Sequence, residues 1–457
     1  MTLHVSTTTD HHLENALTFH QAGEFAKAKQ IYQNILLTEP TNHRALNLFG
    51  LLETQLENFQ NAIDLLRSAI FFHSVTAAYY VNLGSALYKF DKHHEAIANC
   101  DFAILLKPIF FDAYYIRGNC YIALDEHNRA LASFQQALKI DASSITVLYN
   151  CATTLYNLRR FKEALAYYDQ VLAIDPNYVE ALKNKALTLL HLGEYQQGFT
   201  LFEHRWRQSN LIMPAETKGK PLWLGEEAIA DKTILLHSEQ GLGDTIQFCR
   251  YATHLAKLGA KVILSVEKPL AALLTTLQGV NIVHIKGTEL PAFDYHCPML
   301  SLPFAFKTTA QSVPSTVRYL HSEQSKRIYW ANKLGVKKQL RIGIAWSGGL
   351  AYGADSTRSI PLAEFLSYLP AGFQYISLQK DVRPLDQSVL ETRPDILHFG
   401  AEQKDFSDAA AMIDLLDVVI SVDTSIGHLS AALGKPTATL LSFLGDWRWI
   451  EGRDDSP

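Results

Sequence analysis

The first half of the chain repeats itself at a constant interval of 34 positions. Two series of small residues keep this step: Ala28, Ala62, Ala96, Ala130, Ala164 and Gly198; and Ala16, Gly50, Gly84, Gly118, Ala152 and Ala186. A third, more varied series is mostly bulky: Tyr32, Leu66, Cys100, Phe134, Tyr168 and Phe202. One such unit cannot bury its apolar face alone, so a fixed period of this length predicts a stacked array of six similar units.

Each unit is predicted to be a pair of helices. The small residues suit places where two helices approach closely, and Pro40, Pro108 and Pro176 suit the ends of second helices. The period and the residue types resemble the tetratricopeptide repeat over residues 9–212. That resemblance implies an all-α solenoid of six repeats, with a protein or an extended peptide bound along its concave face.

Three asparagines share one repeat position just before a small residue: Asn82, Asn150 and Asn184. An amide side chain can both donate to a peptide carbonyl and accept from a peptide N–H, so we expect these residues to bind a peptide backbone. The repeat array of O-GlcNAc transferase has a similar ladder, which Leu48 and Ile116 interrupt here. The alternative is that the asparagines only cap or fill space near helix turns.

Composition limits the classes of function. Of the 457 residues, 48% are hydrophobic and 19% are charged, which is typical of globular domains. The formal net charge of -5 disfavours a nucleic-acid partner. Five scattered cysteines without a CxxC pair indicate buried thiols in a reducing compartment. No apolar run is long enough to form a signal peptide or cross a bilayer, so we expect a soluble cytoplasmic protein.

The second half alternates short apolar strands with amphipathic helices, which predicts parallel sheets. Two Rossmann-like lobes are predicted, over residues 230–335 and 338–457. Ligands of open parallel sheets bind beyond the carboxyl ends of the strands. We therefore expect the segments GLGD, AWSGG, SLQKD and VDTSIGH to lie on one rim of a cleft.

The segment GLGDTI, residues 241–246, allows two interpretations. It could be part of a dinucleotide-binding fingerprint, with Glu267 near the position of a ribose-binding acid, but Ile246 occupies the place of the third glycine. It could also be a tight turn in which Asp244 caps the following helix. On this stretch alone, the cap is favoured.

The segment DTSIGH, residues 423–428, follows a predicted strand and opens a predicted helix. Free backbone N–H groups at a helix N-terminus attract a pyrophosphate, and small residues let it approach. His428 could donate a hydrogen bond to a phosphate oxygen, while Asp423 could fix the loop. The alternative is an ordinary helix cap beside a half-buried histidine.

Together, GLGD and DTSIGHLSAALGKP resemble the ADP-heptose:lipopolysaccharide heptosyltransferases, whose fold is GT-B. The resemblance covers residues 230–457 and implies inverting sugar transfer from a nucleotide-diphosphate sugar. It implies that Asp244 is the general base and that Arg358 meets the phosphates. Gln379 and Lys380 are donor-side residues by a looser analogy with O-GlcNAc transferase. The predicted donor-binding residues are Gly241, Gly243, Ser347, Gly348, Arg358, Gln379, Lys380, Asp423, Thr424, Ser425, Gly427 and His428. No metal and no cofactor besides the donor is expected.

The sequence also departs from the family pattern. In the stretch WSGGLAYGADSTRS, Gly349 and Gly353 replace expected polar residues. GT-B proteins usually continue through a further helix, so we expect the second lobe to be shortened. These departures favour a rival hypothesis: a non-catalytic repeat scaffold for protein–protein interaction with a degenerate glycosyltransferase-like half.

Overall fold

The computed structural model describes residues 2–207, 212–349 and 357–456. Contacts divide the chain into two compact units, Met1–Thr188 and Leu189–Pro457. None of the helices in these described ranges is both long enough and apolar enough to cross a membrane.

The predicted helix pairs are confirmed by the helices described up to residue 202. They are α1 (Thr2–Gln21), α2 (Phe25–Thr38), α3 (His43–Gln55), α4 (Phe59–Phe72), α5 (Ala77–Lys89), α6 (His93–Leu106), α7 (Phe111–Ala123), α8 (His127–Ile140), α9 (Ile145–Asn157), α10 (Phe161–Ile174), α11 (Val179–His191) and α12 (Tyr195–Phe202).

Small and bulky residues of the repeat meet inside each pair. A Cβ atom placed on Gly118 would lie 2.6 Å from Cδ1 of Phe134, and one on Gly50 would lie 2.6 Å from Cγ of Leu66. Both distances are below van der Waals contact, so the bulky residue of the second helix packs directly on the backbone of the first. The small and bulky positions that define the repeat in the sequence therefore contact each other in the structure.

The turn inside each helix pair has one residue in the left-handed conformation, again every 34 positions. These residues are Gly23, Glu57, Asp91, Asp125, Arg159 and Gly193, with φ of 75°, 61°, 57°, 61°, 57° and 76°. Only the outermost two are glycines, the residue that adopts this conformation without steric cost. The backbone turn is thus conserved through the array even where the sequence no longer shows it.

The first lobe contains a parallel sheet with strand order β3-β2-β1-β4. Its strands are β1 (Thr233–His237), β2 (Lys261–Val266), β3 (Val280–Ile285) and β4 (Tyr295–Pro298). Its helices are α13 (Leu242–Phe248), α14 (Ala252–Lys257), α15 (Lys268–Leu274) and α16 (Leu302–Ala305). The segment TIQFCRYATHLAKLG, residues 245–259, has the pattern of one amphipathic helix, but this prediction is wrong because a 3-10 turn at Cys249–Tyr251 interrupts the helix. Tertiary contacts accompany the break: the hydroxyls of Tyr251 and Thr308 share a 2.9 Å hydrogen bond.

The second lobe contains a parallel sheet with strand order β7-β6-β5-β8-β9. Its strands are β5 (Arg341–Ala345), β6 (Gln374–Ser377), β7 (Ile396–His398), β8 (Val418–Val422) and β9 (Thr437–Leu440). Its helices are α18 (Leu362–Ser367), α19 (Pro384–Glu391), α20 (Phe406–Asp414) and α21 (Ser425–Ala432). Helix α17 (Gln324–Leu334) lies within the range predicted for the first lobe but packs on α20 of the second. Since β6 and β8 flank β5 on opposite sides, the strand order reverses at β5, and a crevice is expected at its carboxyl end.

Candidate functional site

A cavity of about 440 Å³ lies where the strand order reverses in the second lobe. Its wall includes segments that follow four strands: Leu242 after β1, 347–349 after β5, 379–381 after β6 and 424–426 after β8. These segments belong to GLGD, AWSGG, SLQKD and VDTSIGH, the four stretches predicted to share a rim. The cavity has the size of an ordinary small-molecule site.

The start of α21 forms one wall of this cavity. Thr424 precedes the helix, and its hydroxyl lies 3.1 Å from the hydroxyl of Ser421 at the end of β8. Ser425 and Ile426, in the first turn, line the cavity. The first N–H groups of a helix have no partner within the helix, so this wall offers donors and a partial positive charge to an anion.

Two cationic side chains line the same cavity, Lys380 and Arg383, together with two acidic ones, Asp381 and Asp405. Lys380 donates to the carbonyl of Lys404 at 3.1 Å, and Arg383 donates to the hydroxyl of Ser359 at 2.9 Å. The sequence prediction included Lys380 but missed Arg383. Arg383 immediately precedes α19, a helix that the sequence interpretation did not identify.

Asp244 caps α13, as the sequence favours. Its Oδ2 accepts from the backbone N–H of Gly241 at 2.7 Å, and Gly241 is the N-cap residue. Its Oδ1 forms an ion pair with Arg448, a residue that the sequence interpretation did not single out. The carboxylate is therefore held from both sides, and its side chain is 16% exposed.

The two motifs meet through small residues. A Cβ on Gly243 would lie 2.9 Å from Cδ2 of His428 and 3.5 Å from Cα of Ser425, so α13 packs closely on the first turns of α21. Any larger residue at position 243 would force the imidazole to move. The second glycine of GLGD is thus explained by the approach of a helix of the other lobe.

His428 is enclosed by a tryptophan and a carboxylate. Its ring stacks on Trp449 at a centroid distance of 5.7 Å, and its Nε2 lies 3.8 Å from Oδ1 of Asp423. Trp449 donates from Nε1 to Oδ2 of Asp423 at 3.0 Å. Burial lowers the pKa of His428, with Asp423 opposing the shift, so the imidazole is neutral at pH 7. Arg358 donates to the backbone carbonyl of Asp423 at 3.1 Å.

The predicted donor residues thus fall into three groups. Those that line the 440 Å³ cavity are Ser347, Gly348, Gln379, Lys380, Thr424 and Ser425. A second group lies beside the cavity, in the loops and contacts at the starts of α13 and α21: Gly241, Gly243, Arg358 and Asp423. Gly427 and His428 line a second cavity of about 820 Å³. Gly353 lies outside the described residues.

The asparagines predicted to bind a peptide connect neighbouring repeats. Asn82 donates to the side-chain oxygen of Asn47 at 2.8 Å, and Asn150 donates to that of Asn119 at 3.2 Å. Asn184 donates to the hydroxyl of Tyr149 at 2.9 Å. Each amide donates to a partner about one repeat earlier, and Asn184 also hydrogen-bonds with Tyr168. Peptide binding stays a prediction.

Models of known protein families match both the repeat array and the α/β half of the chain. Tetratricopeptide repeats match at residues 13–76, 111–144, 145–178 and 167–199. Residues 401–442 match glycosyltransferase family 9 (heptosyltransferase). The chain therefore contains tetratricopeptide repeats, and a short segment of its α/β half is similar to glycosyltransferase family 9.

Among solved structures, the repeat region is similar to a crystal structure of MamA protein, with 23% identity over 38% of this chain and 96% of that chain and a TM-score of 0.34. It is also similar to Pseudomonas aeruginosa pilF, with 19% identity over 44% of this chain and 92% of that chain and a TM-score of 0.41. No curated protein sequence matches the chain.

Proposed function

We propose that the chain is an inverting glycosyltransferase of the GT-B type that uses a nucleotide-diphosphate sugar. One observation carries the proposal: the family 9 segment, residues 401–442, supplies seven of the residues that line the 440 Å³ cavity at the strand-order reversal. They are Gln403, Asp405, Phe406, Ala409, Thr424, Ser425 and Ile426. The matched segment thus forms part of the wall of a ligand-sized cavity.

The diphosphate would lie at the start of α21. Ser425 and Ile426 would present backbone N–H groups to it, and Lys380 and Arg383 would offset the charge that builds on the leaving diphosphate. A helix N-terminus and two cations can supply this stabilisation through the protein's own groups. Arg358 would act indirectly, because it holds the backbone at Asp423, just before the helix.

Asp244 would take the proton of the acceptor hydroxyl as that oxygen attacks the anomeric carbon. It is two residues from Leu242, which lines the cavity, and the α13–α21 contact fixes it near the start of the donor-binding helix. A positioned general base contributes roughly 10²–10⁴-fold to a rate. The leaving group departs as the nucleoside diphosphate, and the new bond forms on the opposite face of the sugar.

The repeat array would bring a protein acceptor to the enzyme. Tetratricopeptide repeats match over much of the first unit. Asn82, Asn150 and Asn184 retain polar capacity for a peptide backbone after bonding to their neighbours. The acceptor would be an exposed hydroxyl side chain in an extended segment.

Nucleotide release tests this proposal. The protein is incubated with ADP-, GDP-, UDP- and TDP-sugars, and the free nucleoside diphosphate is measured against an Asp244→Asn control. We expect release from one donor, reduced at least tenfold in the control. No release from any donor by a folded protein that still binds peptides would support the non-catalytic scaffold instead.

A further inference from the structure

Arg448 connects the general base to a second carboxylate. Its guanidinium forms an ion pair with Asp244, and Nη1 lies 2.6 Å from Oδ1 of Asp446. The backbone N–H of Arg448 also donates to Oδ1 of Asp446 at 3.0 Å. The side chains of Arg448 and Asp244 are 8% and 16% exposed, so this pair interacts in a poorly hydrated environment, whereas Asp446 is 37% exposed.

Aromatic rings fix the plane of this guanidinium. Its Cζ lies 4.5 Å from the ring centre of Trp447 and 5.7 Å from that of Phe248. Burial lowers the pKa of Arg448, but Asp244 and Asp446 outweigh it and raise the pKa above its ordinary value. Arg448 is therefore a permanent cation held in one orientation, which in turn fixes the orientation of Asp244.

The next residue extends the connection to the other motif. Trp449 stacks on His428 and donates to Asp423. The segment Asp446–Trp449 thus contacts GLGD through Arg448 and DTSIGH through Trp449. A carboxylate held only by its cap at Gly241 would be free to rotate, whereas this segment gives it a second fixed contact.

We infer that Arg448 is a positioning residue for Asp244 and that Asp446 keeps it charge-compensated during the reaction; the inference rests on the proposed function. When Asp244 takes a proton, Arg448 loses one counter-ion but retains Asp446. The cation is then not left unpaired in a buried site, a situation that is otherwise costly. Arg448 acts on the reaction through Asp244 and does not contact the donor.

A kinetic double-mutant cycle tests the inference. Arg448→Met is expected to lower kcat by about 10–100-fold while the donor KM changes less than twofold, because only the base is displaced. In the Asp244→Asn background, the same substitution should lower kcat less than twofold, because the route through Asp244 is already lost. Equal losses of kcat in both backgrounds, or a raised KM with unchanged kcat, would contradict the inference.

Arg448→Lys keeps the positive charge and is the variant to use if Arg448→Met does not fold. It should recover part of kcat, since the ammonium can reach one carboxylate but cannot bridge both with a planar fork. A kcat of Arg448→Lys equal to that of the wild type would show that orientation by Arg448 is unnecessary.

A spectroscopic measurement separates this inference from the proposed function. In the ¹⁵N-labelled protein, the guanidinium N–H signals of Arg448, assigned with Arg448→Lys, should be resolved because the paired group rotates and exchanges slowly. They should broaden in Asp244→Asn. Unchanged signals in Asp244→Asn would refute the pairing. A wild type that transfers no sugar but shows these signals would refute only the proposed function, and the positioning of Asp244 would then stand as structural.

Discussion

The repeat array and the α/β site are built from contacts of very different sequence separation. In the array, Gly118 packs on Phe134, sixteen positions further along the chain, and the equivalent positions Gly50–Leu66 and Gly84–Cys100 make the same contact. At the site, Asp244 pairs with Arg448 across 204 positions, and no equivalent pair recurs among the residues that the structure describes. A periodic contact appears in the sequence several times, whereas a contact that occurs once leaves no pattern to detect.

The two regions also differ in how much stability is lost when a single contact is removed. The packing contacts of the array are apolar and shared among similar units, so the loss of one is felt locally. The α/β unit contains buried cations such as Arg205 and Arg448, whose removal leaves carboxylates without their counter-ion. Substitutions in the two regions should therefore have different magnitudes.

The largest effect is expected from Arg205→Met. Arg205 is 1% exposed and pairs with Glu239 and Glu203, and Nη2 donates to the hydroxyl of Ser301 at 2.7 Å. Its removal leaves two carboxylates without their cation and should lower the free energy of unfolding by about 3–5 kcal/mol. Chemical denaturation measures the loss.

The matched control for Arg205→Met is in the array. Arg67 forms an ion pair with Glu95, and the two side chains are 50% and 48% exposed. Arg67→Met should cost less than about 1 kcal/mol, because exposed pairs contribute little. Equal losses for the two variants would remove the distinction between the regions.

A smaller effect is expected from Gly118→Ala in the array. The new methyl group would overlap the ring of Phe134, which should cost about 1–3 kcal/mol of unfolding free energy. Gly84→Ala is the graded comparison, because there the nearest atom is Sγ of Cys100 at 3.0 Å. Gly84→Ala should cost less, and the reverse order in thermal unfolding would contradict the packing described here.

The distinction between recurring and single contacts also explains which parts of the molecule could be predicted from the sequence. The helix pairs follow from the 34-residue period, and the parallel sheets follow from alternating strands and helices. The rim could be predicted because the carboxyl ends of parallel strands share one edge. The break between α13 and α14 could not, because side chains such as Tyr251 bond to distant parts of the lobe. Arg448 could not be predicted because its partner is chosen by the tertiary fold.

Acid should weaken the α/β unit through His237. Burial lowers the pKa of His237 to about 3, far below its ordinary value of 6.5. Between these two pH values the unfolded chain binds a proton that the folded chain does not. The free energy of unfolding should therefore fall by up to about 1.4 kcal/mol per pH unit as the pH decreases below 6.5.

The check is the pH dependence of urea denaturation in the wild type and in His237→Gln. The glutamine variant lacks this proton uptake, so its stability should decline less steeply between pH 6.5 and 5. Parallel curves for the two proteins would show that His237 does not carry the effect.

The smallest effect is expected from Glu57→Gly in the array. Glu57 is exposed and has a φ of 61°, a conformation that is unfavourable for residues with a side chain. Glycine relieves this strain but also increases the conformational entropy of the unfolded chain. The net effect should be a rise in the free energy of unfolding of about 0.5–1 kcal/mol.

Gly23→Glu is the reciprocal change, since Gly23 occupies the equivalent turn with a φ of 75° and has no atom within 4 Å of an added Cβ. It should destabilise by a similar amount, and a neutral result for both variants would mean that the turn carries no strain.

The proposed function requires that the cavity at the reversal of strand order bind a nucleoside diphosphate. Calorimetric titration of ADP, GDP, UDP and TDP measures this binding, with Arg383→Ala as the site variant and Lys337→Ala as the control. Lys337 lies before β5 and forms an exposed ion pair with Asp417, away from the residues that line the cavity. We predict that one nucleoside diphosphate binds, that Arg383→Ala weakens it at least tenfold and that Lys337→Ala leaves it unchanged. Binding of none of the four, or equal binding by both variants, would contradict the assignment of this cavity.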